Sequence, residues 1–62
     1  MQFVSFWLDG GALAYFKRED INVIVEDNNS PGYTHIYIRG QERYFKVKGH
    51  YREILDDLGI KP

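Results

Sequence analysis

Cysteine is absent from the sequence, and proline occurs only twice. Without cysteine the chain forms neither disulfides nor thiolate metal sites, which are two common means of stabilising a small domain. A chain of 62 residues buries only roughly 60% of the surface that its unfolded form exposes, so its hydrophobic core is marginal. Stability must therefore come from unusually good packing or from association with another chain.

Long apolar segments are also missing. No segment approaches the roughly 20 residues needed to cross a bilayer, and residues 1–8 lack the basic region and cleavage site of a secretory signal. The formal net charge is only -1, so composition provides no bulk positive field for nucleic acid or anionic lipid. We expect a cytoplasmic protein that does not bind membranes.

Apolar residues make up 44% of the sequence and aromatic residues 16%. This is too much apolar surface for a chain that charge keeps disordered, so the protein is expected to fold. Its length allows one hydrophobic core and no interdomain linker. Residues 1–62 are therefore predicted to form a single small β-rich domain.

The first half of the chain predicts a hairpin and a connecting strand. Gln2 to Leu8 is rich in β-branched and aromatic residues, and Asp9-Gly10-Gly11 turns the chain back through Ala12 to Phe16. A charged break over residues 17–20 follows. Residues 21–26 then predict a third strand, in which the sequence pattern places two valines, Val23 and Val25, in the core.

The second half predicts a hairpin and a helix. Tyr33 to Arg39 and Arg43 to Lys48 alternate apolar and polar residues, whereas residues 27–32 are predicted to form an exposed, mobile loop. After Gly49 the apolar residues recur at helical spacing, and Gly59 stands where a left-handed C-terminal cap belongs.

The predicted fold is therefore α+β. An antiparallel sheet of four or five strands, made from two hairpins and a connecting strand, carries one C-terminal helix packed on one face. A slip of one residue in any strand would exchange its two faces. The predicted core consists of Val4, Phe6, Leu8, Val23, Val25, Ile36, Ile38, Phe45, Val47, Tyr51, Ile54, Leu55 and Leu58.

A short helix covers only one side of a sheet, so the other side needs a second explanation. Phe3 and Trp7 alternate with core positions of the first strand, and such large rings are seldom left alone on a monomer. We interpret the chain as a non-enzymatic accessory protein that uses this face for self-association or for binding a protein partner, without a cofactor or a small-molecule substrate. The predicted protein-binding residues are Phe3, Trp7, Tyr37, Arg39, Tyr44, Lys46 and Lys48.

Nucleic-acid binding is the alternative. Residues 33–52 hold five basic residues and one acidic residue, a local formal charge of +4. Aromatic rings stack on bases with roughly 1 to 3 kcal/mol each, and cations neutralise phosphates. A basic hairpin can equally face the acidic part of a second copy, and edge strands offer pairing across chains. The residues for nucleic acid are Arg39, Arg43, Lys46, Lys48, Tyr37 and Tyr44.

Catalytic and metal-binding patterns are weak. His50 and Glu53 are spaced to share a helix face but have no third ligand nearby, so we predict no metal site. Ser5 lies within a strand and Ser30 within the loop, so neither has the rigid support that a nucleophile needs. A pocket of several hundred Å³, the usual size of a small-molecule site, is also hard to fit inside so small a domain. Three adjacent carboxylate pairs are interpreted as solvated edges and loop ends: Glu19-Asp20, Glu26-Asp27 and Asp56-Asp57.

The order of strands and turns resembles that of the small FlbD family, which is associated with flagellar gene clusters. The similar segments are Leu8-Asp9-Gly10, Ile21 to Glu26, Thr34 to Ile38, Tyr44 to Lys48 and Ile54-Leu55. The chain departs from the family pattern in the loop at residues 28–32 and in its aromatic start. The resemblance implies a small accessory protein that acts through contacts, and it transfers no catalytic residue. Size alone fits an accessory protein of a phage or mobile element equally well.

Overall fold

The computed structural model describes residues 2–60, so Met1 and residues 61–62 of the predicted domain lie outside the described part. Five strands and a C-terminal helix confirm the predicted α+β fold. The elements are β1 (Phe3–Trp7), β2 (Leu13–Lys17), a 3-10 turn (Arg18–Asp20), β3 (Ile21–Glu26), β4 (Tyr33–Ile38), β5 (Tyr44–Lys48) and α1 (Tyr51–Asp57).

The strands form two antiparallel sheets. β1 pairs with β2 in one sheet, and β3, β4 and β5 form a three-stranded meander in the other. An isolated antiparallel bridge between Leu8 and Val47 joins the sheets, and the Asp9 N–H donates to the Lys46 carbonyl over 3.0 Å. The two sheets therefore meet where β1 ends against β5.

The core lies between the inner faces of the sheets and the helix. Most of the predicted core positions are buried or pack against the buried cluster. Phe16, which the sequence pattern places only in a strand, is also buried, and its ring meets Phe6 at 6.1 Å and Phe45 edge-on at 5.3 Å between centroids. The buried core side chains are Phe6, Phe16, Ile36, Val47, Ile54, Leu55 and Leu58.

The predicted phase of β3 is wrong. Val23 and Val25, expected in the core, are 44% and 39% exposed, whereas Ile21 and Ile24 pack against the core. The pairing with β4 shifts register between Ile21 and Val23, which leaves Asn22 as an extra residue. Such a bulge moves the following side chains to the opposite face, so strict alternation from the start of the strand gives the wrong result.

Both ends of α1 are capped by local sequence. The His50 ring accepts a hydrogen bond from the Arg52 N–H over 3.2 Å, and the Glu53 carboxylate accepts one from the His50 N–H over 3.1 Å. These reciprocal bonds form a capping box, which satisfies N–H groups that have no partner inside the helix. The helical spacing of His50 and Glu53 thus reflects the start of the helix.

The C-terminal end of α1 confirms the predicted glycine cap. Gly59 has a φ of 74°, and the Ile60 N–H returns to the Leu55 carbonyl over 2.9 Å. This is the Schellman arrangement, which requires a left-handed residue after the helix. Arg18 adds a tertiary cap, because its guanidinium donates to the Leu58 carbonyl and ties the 3-10 turn to the helix end.

Gly49 joins β5 to the helix in a crowded position. Its φ is 140°, its N–H donates to the Gly32 carbonyl over 2.8 Å, and its carbonyl accepts from the buried Thr34 hydroxyl over 2.9 Å. A Cβ at this position would lie 2.7 Å from the Cδ1 of the buried Ile54. The turn into the helix therefore needs a residue without a side chain.

We expect Gly49→Ala to lower the free energy of unfolding by about 2 to 4 kcal/mol, because it combines an unfavourable φ with overpacking against Ile54. Urea unfolding followed by circular dichroism measures the change. Gly32→Ala is the matched control, since its Cβ would enter open space, and we expect it to stay within about 0.5 kcal/mol of the unsubstituted chain. Equal effects of the two substitutions would contradict the close approach of Gly49 to the helix.

Candidate protein-binding surface

The outer side of the β1–β2 hairpin carries six residues, which we call the outer hairpin face. Val4, Phe6 and Phe16 turn inward, so the residues that alternate with them turn outward. The cross-strand register sets these outward residues in three opposed pairs: Phe3 with Lys17, Ser5 with Tyr15, and Trp7 with Leu13.

Four of these six side chains are large, apolar and exposed. Their exposed fractions are 57% for Phe3, 53% for Trp7, 43% for Leu13 and 68% for Tyr15. The outward positions of Phe3 and Trp7 agree with the sequence pattern. Leu13 and Tyr15 were not predicted as site residues, although their alternation with Ala14 and Phe16 was a signal that could have identified them.

The second candidate surface is the outer side of the three-stranded sheet, which we call the outer meander face. Ile36 and Val47 point inward with no exposed surface, so their neighbours along β4 and β5 face outward. Most of the binding residues predicted in β4 and β5 lie on this face. The face consists of Val23, Val25, Tyr33, His35, Tyr37, Tyr44, Lys46 and Lys48.

Stacked rings occupy the centre of the outer meander face. The His35 and Tyr44 rings lie 4.0 Å apart between centroids with planes 21° apart, and Tyr37 meets Tyr44 at 5.7 Å. Tyr44 remains 47% exposed, whereas Tyr37 and His35 are half-buried. The chain itself thus covers part of this aromatic surface, and Tyr44 is its most accessible ring.

A buried carboxylate organises one side of this face. Asp27 was expected to be a solvated loop end, but it is buried, and its Oδ1 accepts from the N–H groups of Asn29 at 3.0 Å and Ser30 at 3.1 Å. Its Oδ2 accepts from the His35 Nε2 at 2.9 Å and lies 3.7 Å from the Lys46 Nζ. One carboxylate therefore holds the start of the exposed loop and orients two side chains of the sheet.

The environment of Asp27 favours its ionised form. Burial by itself raises the pKa of the carboxyl. Hydrogen bonds from the Asn29 N–H, the His35 ring and the Ser30 N–H, together with the charge of His35, outweigh this and hold the pKa of Asp27 below its ordinary value of 3.8. At neutral pH the carboxylate is therefore charged and available to Lys46.

The predicted cations are not equally available. The Lys46 ammonium lies beside Asp27 and 4.9 Å from the centre of the Tyr33 ring. The Arg39 guanidinium donates to the Glu19 carbonyl over 3.2 Å, so it reaches the 3-10 turn. The remaining predicted cations, Arg43 and Lys48, are exposed.

The two outer faces meet at the junction of β1 with β5. Because Leu8 and Val47 face each other in an antiparallel bridge, their neighbours Trp7 and Lys48 occupy adjacent outward positions. An open depression of about 660 Å³ adjoins the junction, with two acidic and two basic side chains in its lining. It is a shallow surface feature lined by Leu8, Asp9, Tyr37, Glu42, Arg43, Tyr44, Phe45 and Lys46.

The remaining residues considered for catalysis or metal binding are not brought together in a site within the described residues. Ser5 lies on the outer hairpin face, and the Ser30 N–H bonds to Asp27. Between residues 2 and 60, histidine and acidic residues form no group of three or more that could hold a metal ion. Across the same residues, the structure contains no helix with the length and apolarity needed to span a membrane.

Comparison with protein-family models, curated proteins and solved structures finds no match to this chain. The resemblance to the FlbD family therefore stays a prediction. The assignment of the surface rests on its geometry alone.

We expect Asp27 to make stability depend on pH. A carboxyl whose pKa is lowered by folding stabilises the fold when ionised, so its contribution is present above pH 3.8 and disappears as the pH falls through the lower folded pKa. Urea unfolding of the unsubstituted chain and of Asp27→Asn, from about pH 7 to about pH 2.5, should give curves that converge in acid.

Glu26→Gln provides the control, because Glu26 is the exposed neighbour of Asp27. We expect this variant to keep the acid-dependent loss of stability that Asp27→Asn lacks. A difference between Asp27→Asn and the unsubstituted chain that stays constant with pH would contradict a role for the ionised carboxylate.

Proposed function

We propose that this protein is a non-enzymatic binding module that contacts another polypeptide chain through the outer hairpin face. The observation that carries the proposal is the group of large apolar side chains exposed there, of which Tyr15 and Phe3 are the most exposed. Contiguous exposed apolar surface on a small domain is typical of an interaction site. Burial against a partner would remove this surface from water.

The composition of the surface supports protein recognition. Aromatic residues dominate the energetic centres of protein interfaces, because they bury much area with few rotatable bonds. Trp7 and Phe3 supply such anchors, and the adjacent Lys48 adds an exposed cation at the rim. Apolar anchors with a charged rim combine affinity with orientation.

The same features favour an accessory role. We place this activity in the cytoplasm, because a chain without cysteine has no disulfides that the reducing conditions there could break. The resemblance to the FlbD family agrees with a protein that acts through contacts. No cofactor and no small-molecule substrate form part of the proposal.

The double substitution Trp7→Ala/Tyr15→Ala tests the proposed surface. Because both side chains are exposed, we expect the free energy of unfolding to change by less than about 1 kcal/mol. Capture of polypeptides by the immobilised chain, including soluble copies of the chain itself, is expected to fall at least tenfold, since two anchors are removed.

Val23→Ala/Val25→Ala is the control pair, because these exposed side chains lie on the other sheet. We expect it to retain capture. Equal capture by the Trp7→Ala/Tyr15→Ala variant and the unsubstituted chain, at equal stability, would contradict the proposal.

Nucleic-acid binding is the second candidate, and one observation favours it. The exposed ring of Tyr44 lies next to the exposed Arg43, and Lys48 lies on the same strand and the same face. A base could stack on the ring while the cations contact phosphates. The candidate is weaker, because Lys46 is engaged by Asp27 and Arg39 by the Glu19 carbonyl.

A salt titration distinguishes the two candidates. If the outer meander face binds single-stranded nucleic acid, affinity measured by fluorescence anisotropy falls steeply with salt. Arg43→Ala/Lys48→Ala should then reduce the slope by about 1.4, at roughly 0.7 for each phosphate that is no longer neutralised. Glu19→Ala/Glu42→Ala, which leaves these cations in place, serves as the control. Absence of binding at low salt would exclude this candidate.

A further inference from the structure

We infer that the polypeptide bound by the outer hairpin face is a second copy of this chain, packed face to face in a two-fold symmetric dimer. This inference rests on the proposed function and names the partner. It follows from the charge, the area and the shape of the outer hairpin face.

Charge is the first argument. Lys17 is the only ionisable residue of the face with a formal charge at neutral pH, and its Nζ lies 3.7 Å from the Glu19 carboxylate. The rest of the face is apolar apart from a serine and a tyrosine hydroxyl. A second copy can therefore cover the face while adding only one charged side chain of its own, and each Lys17 keeps the Glu19 carboxylate of its own copy beside it. An interface with so few charges resembles those of homodimers more than those of transient complexes.

Area is the second argument. Taking 150 to 250 Å² for a fully exposed large side chain, the four exposed apolar residues present roughly 450 Å². Two copies would bury about 900 Å² from these residues and about 1,000 Å² with the flanking atoms, near the lower limit of specific interfaces. Interfaces of less than about 1,200 Å² are typical of weak complexes, so we expect a dimer that forms at high concentration, with a Kd on the order of 100 µM.

Shape is the third argument. Ser5 is the only small side chain of the face, and it stands between Phe3 and Trp7 on β1 and opposite Tyr15 of β2. A gap at Ser5 therefore lies beside the most exposed ring of the face. Two sheets that pack face to face interdigitate their side chains, so a gap on one is filled by a projection from the other.

The gap selects the direction of the two-fold axis. An axis parallel to the strands sets β1 over β2 of the second copy, so that Tyr15 of the second copy fills the gap at Ser5. Trp7 of each copy then packs on Leu13 of the other copy, and Phe3 packs on Lys17. In both pairs an aromatic ring faces a side chain that has no ring. An axis across the strands would place Tyr15 on Tyr15 and leave the two gaps facing each other. Close packing therefore favours the first arrangement.

The oligomeric state tests the dimer directly. We expect sedimentation equilibrium to show the weight-average mass rising about 1.8-fold between about 1 µM and about 1 mM protein, because a Kd near 100 µM places about 80% of the chains in dimers at the higher concentration. Trp7 is the only tryptophan and lies within the proposed interface, so its emission should shift to shorter wavelength over the same range. A chain that stays monomeric at 1 mM with unshifted emission would overturn the dimer.

Matched substitutions test which face is used. Tyr15→Glu places two charges in the symmetric interface, and we expect the dimer Kd to rise about 100-fold, at about tenfold for each copy. Tyr44→Glu introduces the same change at an exposed tyrosine of the other sheet and is expected to leave the dimer intact. A dimer weakened by Tyr44→Glu alone, or by neither variant, uses another surface or an edge strand, and the inference is then wrong.

A mixing experiment tests the arrangement itself. Ser5→Lys and Tyr15→Glu are each expected to prevent self-association, because each disrupts both contacts between Ser5 and Tyr15 in the symmetric dimer. An equimolar mixture should form a heterodimer with one introduced ion pair and one unaltered contact. Failure to associate in the mixture, when each variant is folded, would overturn the parallel axis.

The dimer and the proposed function fail in distinguishable ways. A chain that is monomeric at all concentrations, but whose capture of other proteins is abolished in Trp7→Ala/Tyr15→Ala, overturns the dimer and leaves the binding function standing. A chain that is monomeric and captures nothing through these side chains overturns both.

Discussion

The seven-residue helix α1 is the constraint on which the arrangement of surfaces depends. Its Ile54 and Leu58 belong to the core cluster that contains buried side chains of both sheets, and Gly49 allows the close approach of Ile54 that this requires. A helix of about 10 Å cannot also reach the outer sides of the strands. Five strands therefore share one interior, and two aromatic outer faces remain outside it.

The two outer faces differ in how many of their side chains have polar or stacking partners within the chain. On the outer meander face, Asp27 binds His35 and lies close to Lys46, and the His35 ring covers one side of Tyr44. Polar partners and stacking thus account for much of that surface. The outer hairpin face has no comparable partners within the described residues, and its apolar rings remain in water. This contrast directs the functional interpretation to the β1–β2 hairpin.

Periodicity predicted the elements well where packing follows simple alternation. Tyr33 to Arg39 and Arg43 to Lys48 alternate apolar and polar residues, and β4 and β5 have the predicted inner and outer faces. It failed in β3, because the bulge at Asn22 depends on pairing with β4 and has no local signature. The role of Asp27 could not be predicted from the sequence either, because His35 and Lys46 come close to it only when β4 and β5 have paired.

Local sequence was thus sufficient for the five strands, the capped helix and the outward direction of Phe3 and Trp7, because each depends on neighbours within a few residues. Tertiary pairing decided how the strands divide into two sheets, which residues of β3 turn inward, and that Leu13 and Tyr15 join Phe3 and Trp7 on one face. Alternation assigns residues to the two sides of a single strand. Cross-strand register, which long-range contacts set, determines which residues share a surface.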